Sequence, residues 1–202
     1  MTTQNLGNPP RFTSAFFATV AIACFAYCVL ALLLLHLLRP DISPATSEIS
    51  DYAFGPYGWV MTTVFIVWGI GLLALSLGLL RSGPRSVAAW IGSGLLSIAF
   101  VGGLIAAIFP SGGVHVLNFF VGNGSLFLSF VLLSVSFFSD SRWRSYRITA
   151  VTLLALVIVA FILLFLVPHP GMLFGFVNRS FAALLFAWLL STSIRLRALA
   201  CE

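Results

Sequence analysis

The stretch Ser14–Leu38, SAFFATVAIACFAYCVLALLLLHLL, runs 25 residues without a charged side chain. Arg39-Pro40-Asp41 stops it. A helix rises about 1.5 Å per residue, so roughly 20 apolar residues cross a hydrocarbon core of about 30 Å. This run exceeds that length. It is also longer than the roughly 7–15-residue apolar core of a secretion signal, so it reads as a retained membrane span.

Five further apolar segments follow, at about 58–80, 87–109, 114–138, 148–167 and 172–194. The breaks between them carry helix-ending chemistry. Ser82-Gly83-Pro84-Arg85, Pro110-Ser111-Gly112-Gly113 and Pro168-His169-Pro170-Gly171 lack either an amide donor or a side chain to hold helical geometry. Two of these breaks are short enough to make antiparallel hairpins, one of the third and fourth segments and one of the fifth and sixth. Composition agrees: 60% of residues are hydrophobic and only 7% are charged, with a mean hydropathy of +1.11. Soluble domains carry roughly 25% charged residues. The expected fold is therefore all-α, a polytopic six-transmembrane-helix bundle. A single domain is expected over 14–197, with tails at 1–13 and 198–202 and a long loop at 39–57.

The net charge of +5 comes from ten arginines and no lysine. They are scattered beside apolar segments rather than gathered on one face, which excludes a nucleic-acid partner and points to membrane topology. Placing the N-terminus inside puts Arg11, Arg81, Arg85, Arg142, Arg144, Arg147, Arg195 and Arg197 in the cytoplasm and leaves only Arg39 and Arg179 outside. The expectation is a multi-pass protein of a bacterial plasma (inner) membrane, N-in/C-in, with loop 39–57 outside. Cys24, Cys28 and Cys201 have neither disulfide nor CxxC context.

Helix faces differ. Thr152–Val167 is apolar throughout and should look largely at lipid. His115, Asn118, Gly122, Ser125 and Ser129 recur at steps of three and four, with Asn123 beside them, so one face of the fourth helix is polar and should turn inward. It reads either as helix packing or as a pocket lining. Gly92, Ser93, Gly94, Ser97, Gly102 and Gly103 in the third helix, and Gly69, Gly71, Ala74 and Gly78 in the second, permit close backbone approach.

Under this topology the ionisable groups gather at the outer face. His36, Arg39, Asp41, Glu48, Asp51, His115, His169 and Arg179 all fall there. The candidate ligand-binding cluster is His36, Arg39, Asp41, Ser50, Asp51, Tyr52, His115, Asn118 and Arg179. Arg179 is expected either to pair with Asp41 or Asp51 and pin the loop, or to hold an anionic headgroup. The aromatic run Tyr52–Trp59 reads as an interfacial belt or a lid. No metal is assigned, because no two of the histidines have ligand spacing; a haem between His36 and His115 has no motif behind it. No phosphate loop, zincin motif or kinase signature is present.

The segments His36-Leu37-Leu38-Arg39-Pro40-Asp41, Ile49-Ser50-Asp51-Tyr52 and Gly55-Pro56-Tyr57-Gly58-Trp59 resemble the bacterial domain of unknown function 998 family. So do Ile108-Phe109-Pro110 with His115, and Asn178-Arg179 with Trp188-Leu189 and Arg195-Leu196. The resemblance spans about 14–197 and implies a small multi-helix membrane protein with no assigned activity. Members commonly carry an acid just after the Phe-Pro; here Ser111-Gly112-Gly113 stands in that place. The matched positions coincide with the outer-face cluster.

Two functions follow as expectations. The first is a non-enzymatic protein binding a lipid or small amphiphile at the outer face, or an accessory subunit of a membrane complex, with membrane lipids and other membrane subunits as partners and no cofactor. The second is a membrane enzyme acting on a lipid-linked substrate, with His115 or His36 as base and Arg39 or Arg179 holding an anionic group. A transporter ranks behind both; it would need a polar path running from Asn118 to Ser129 and beyond.

Overall fold

Six helices long and apolar enough to cross a membrane make up most of the chain. The structure, a computed structural model, describes residues 11–168 and 171–201. The helices are α1 Arg11–Leu38, α2 Gly58–Ser82, α3 Val87–Ile108, α4 Gly112–Ser136, α5 Arg147–Leu166 and α6 Phe174–Cys201. A short 3-10 helix, Ile49–Ala53, interrupts the long loop. The protein is thus an all-helical, multi-span membrane protein. Helix α1 starts at Arg11, inside the expected N-terminal tail, and α6 continues to Cys201 through most of the expected C-terminal tail. Both extensions carry arginine or small residues that favour helix once the span has nucleated it. His169 lies outside the described residues, as does most of the 1–13 tail.

The helices form a ring in the order α4, α3, α2, α1, α6, α5, and α5 meets α4 only weakly. The bundle has a loop end, bearing 39–57, and a terminal end, where α1 begins and α6 finishes. Small residues set the tight contacts. A Cβ on Gly103 of α3 would stand 2.9 Å from the carbonyl oxygen of Phe65 on α2. Hydroxyls tie α2 and α4 to α3: Ser76 Oγ donates to the Ser93 carbonyl (2.6 Å) and Ser129 Oγ to that of Gly92 (2.8 Å). Lipid gives helices no hydrophobic reason to associate, so close packing and such bonds take over.

The terminal half is filled by rings. Phe130 stacks on Trp188 at 3.9 Å between centroids, and Phe137 stacks on Trp143 at 4.2 Å. Tyr146 packs edge-on against Trp143, and its hydroxyl lies 2.8 Å from both Ser191 and Thr192. Each ring pair adds about 1 kcal/mol beyond its buried area. This plug closes the bundle below mid-depth and leaves the loop half as the place where a site can form.

Candidate functional site

Two arrangements occupy the loop end, and the candidate residues divide between them. The first holds the loop in place. Arg39 is 7% exposed. Its Nε and Nη2 donate to the Asp41 carboxylate at 2.8–3.1 Å, and its Nη1 donates to the carbonyls of Phe54 (2.6 Å) and Pro56 (2.9 Å). Those carbonyls flank Gly55, whose φ of +75° makes the turn possible; the guanidinium lies 3.5 Å from where a Cβ would stand. The bonds from Arg39 hold the Asp41 carboxyl below the usual aspartate range.

Arg179, on the second turn of α6, serves the same loop from the other side. Its Nε donates to His36 Nε2 at 2.7 Å, and its Nη1 donates to the carbonyls of Ser47 (2.7 Å) and Gly175 (3.1 Å). Its guanidinium carbon lies 5.8 Å from the centre of the buried Tyr52 ring. A guanidinium only donates, so His36 Nε2 must accept. His36 Nδ1 is 2.6 Å from the Leu32 carbonyl and must therefore carry the proton. Both ring nitrogens of His36 are thereby used. The expected ion pair of Arg179 with Asp41 or Asp51 does not form: Asp41 is taken by Arg39, and Asp51 accepts from the Glu48 amide at 2.9 Å. Among the described residues no carboxylate pairs with Arg179; neutral oxygens, one imidazole nitrogen and a ring satisfy it instead.

The second arrangement is a cavity of about 210 Å3 bounded by α2, α3, α4 and α6 and roofed by Glu48, Ile49 and Ser50. Its loop-end rim is polar, with Glu48, Ser50, His115, Asn118 and Asn178. Its depth is apolar, with Met61, Trp68, Leu126, Leu185 and Phe186. From His115 to Leu126 the wall descends roughly 16 Å along α4. Below Leu126 the lining ends: Ser129 is buried against Gly92, and Phe130 joins the aromatic plug. Ser125 bonds back to the Val121 carbonyl of its own helix (2.7 Å). The polar stripe of α4 therefore does not continue as a path through the described part of the bundle.

The rim groups are positioned by short-range chemistry. The Gly112 φ of +82° turns the chain after Pro110-Ser111 and sets His115 in the first turn of α4. His115 Nδ1 lies 3.0 Å from the Phe109 carbonyl at the end of α3, an orphan acceptor by its position, so Nδ1 carries the proton. In the neutral ring Nε2 is then the unprotonated nitrogen, and it has no partner among the described residues. Asn118 Nδ2 donates to the Gly102 carbonyl (2.9 Å), leaving Oδ1 beside the cavity. Ser50 Oγ donates to Glu48 (2.9 Å), and Asn178 Oδ1 accepts from the Ile49 amide (3.0 Å), which fixes the roof to α6.

A second cavity of about 250 Å3 adjoins the first and shares Glu48, His115, Phe119 and Asn178 with it. It lies in the loose seam between α4 and α5. Phe120 of α4 and Phe165 of α5 line it and are more than half exposed on the bundle surface. Phe161 meets Phe127 and Phe181 further along the same seam.

A match to the family described as Protein of unknown function (DUF998), over residues 12–195, covers the loop motif, the rim and all of the helices but the first residue of α1 and the last turns of α6. The chain belongs to this family. No curated protein and no solved structure matches it. In this DUF998 chain, Ser50, His115 and Asn118 of the candidate cluster line the cavity, whereas His36, Arg39, Asp41, Tyr52 and Arg179 hold the loop and line neither cavity. Asp51 caps the 3-10 helix. Glu48 and Asn178 are cavity residues outside the candidate cluster. Asn178 could have been found from its place next to Arg179, one step round α6. Among the described residues no three His, Cys, Asp or Glu side chains gather as a metal site. His36 and His115 stand in different arrangements, and a haem between them would have to displace the bond from Arg179.

Proposed function

We propose that this protein binds a single-chain amphiphile at the outer leaflet of a bacterial plasma membrane, alone or as a subunit of a larger membrane complex. The arginine distribution supports an orientation with both termini in the cytoplasm and the loop end outside. The observation that carries the reading is the cavity's polarity: hydrogen-bonding groups at the rim, apolar walls beneath, and a ring-filled floor. That profile matches a headgroup above one chain. Size limits the chain to one, since about 150 Å3 holds a benzene and the inner cavity offers about 210 Å3. The α4–α5 seam supplies a lateral route from lipid. The closed floor argues against a transporter.

The test is native mass spectrometry of the protein released from mild detergent. One amphiphile should be retained per chain and lost in Ala182→Phe, which fills the cavity from α6 without touching either arginine. Equal retention by that variant would refute the reading.

One observation favours a second reading, a membrane enzyme with His115 as general base. Its Nδ1–H is fixed by the Phe109 carbonyl and its Nε2 lone pair is left at the rim, the tautomer a base requires. His36 does not qualify, because its lone pair is spent on Arg179. Turnover of a bound amphiphile that is lost in His115→Gln, with binding kept, would favour this reading over the first.

A further inference from the structure

We infer, building on the amphiphile reading, that the cavity selects its ligand by chain length: it takes about eight carbons of an unbranched alkyl chain, and Leu126 and Ala99 at its closed end set that length. Volume gives the count. About 150 Å3 holds the six carbons of a benzene, so the inner cavity of about 210 Å3 holds about eight. Side-chain size gives the stop. On α3 the lining runs Ala106, Gly103, Gly102, Ala99, and the next turn brings Leu96, which does not line the cavity. On α4 Gly122 gives way to Leu126 and then to Phe130.

The stop is one layer shared by four helices. The deepest lining residues are Trp68 of α2, Ala99 of α3, Leu126 of α4 and Phe186 of α6. One turn further on, the same faces carry Leu72, Leu96, Phe130 and Leu189, each wholly buried and none lining the cavity. Rings brace both layers. Trp68 meets Phe186 edge-on at 4.8 Å, and Phe130 lies stacked on Trp188 at 3.9 Å. A chain longer than about eight carbons therefore carries its head past the rim, and a shorter one leaves apolar void unfilled. Leu126 and Ala99 are the two aliphatic members of the deepest layer, so exchanging them resizes the closed end and leaves its rings in place.

The experiment uses the full chain in phosphatidylcholine nanodiscs, in a Trp59→Phe/Trp90→Phe background that removes two lipid-exposed indoles. A twelve-carbon alcohol brominated at its tail quenches Trp68, which lines the cavity. Unbranched alcohols of four to sixteen carbons, each at the same measured mole fraction of the bilayer, then displace it. Potency should rise about threefold per carbon, as each carbon fills about 25 Å3 of void, up to about the eighth carbon, and then stay level. Leu126→Ala removes three carbons at the stop and should move the start of that plateau to about eleven carbons. Ala99→Leu adds three and should move it to about five. If Leu126→Ala does not fold, the parent and Ala99→Leu decide. A potency without a plateau, or a plateau that starts at one length in parent and variants alike, overturns the inference and leaves the binding proposal intact. Quenching that never saturates and that no alcohol relieves overturns both.

Discussion

The two arrangements at the loop end use the same kinds of residue in opposite ways. Around Arg39 and Arg179 the hydrogen-bonding capacity is spent inside the protein: Nε and Nη1 of each guanidinium have named acceptors, and His36 has both nitrogens engaged. Around the cavity His115 has one nitrogen committed and one vacant, and Asn118 uses its amide nitrogen but not its oxygen. Saturated polar groups in a membrane protein hold shape; unsaturated ones at a cavity wall await a partner. Charge alone is therefore a poor guide to function here. The most conspicuous charged residue, Arg179, belongs to the scaffold, and the rim, which neither loop-end arginine lines, belongs to the site.

This contrast can be broken by mutation. The largest effect is expected from Arg179→Met, which leaves His36 Nε2 and the Ser47 carbonyl without their donor; thermal unfolding in detergent should show a loss of about 3 kcal/mol. A smaller loss, about 2 kcal/mol, is expected for Gly175→Ala. Its Cβ would stand 2.5 Å from the Pro44 carbonyl oxygen and would push the loop off α6. If either variant unfolds like the parent, the loop is not held as described. His115→Ala should change stability by less than about 0.5 kcal/mol, because it removes a half-exposed side chain with one bond. It should nevertheless weaken amphiphile retention about tenfold. Comparable stability losses for His115→Ala and Arg179→Met would erase the distinction between scaffold and site.

Acid offers the mildest test. The Asp41 carboxyl titrates below its ordinary value of about 3.9, so the Arg39–Asp41 contribution is whole above that value and fades only as pH falls through the lowered one. Limited proteolysis of loop 39–57 should therefore be flat from pH 7 to 5 on account of this pair and should rise only below about pH 4. In Asp41→Asn that late rise should be absent.

Much of the fold was legible in the sequence because each span exceeds bilayer length and Pro-Gly breaks separate the spans. The polar stripe of α4 was legible too, since its spacing is helical. What could not be read was azimuth. Helix α1 is apolar on nearly every face, and Asn178 and Arg179 are adjacent polar residues on α6, so no periodicity tells that His36 and Arg179 turn toward each other while Asn178 turns to the cavity. The expectation that His36, Arg179 and His115 form one cluster follows from their shared depth, and depth does not fix direction. Glu48 was hidden for another reason: its place on the roof depends on the 3-10 helix at Ile49–Ala53 and on the Asn178–Ile49 bond, neither of which has a sequence signature. The ends of α1 and α6 ran past the expected boundaries because arginine-bearing turns remain good helix formers outside the hydrocarbon layer.

The central claim is that the cavity, and not the arginine pair, takes a ligand. It is tested most directly by a twelve-carbon alcohol carrying a diazirine at its tail, photolysed on the protein in nanodiscs and followed by peptide mapping. The account expects adducts at Trp68, Leu126 and Leu185, competed by the unlabelled alcohol and absent in Ala182→Phe. Adducts confined to lipid-facing side chains such as Ile66, Leu128 and Leu166, with no competition, would contradict it.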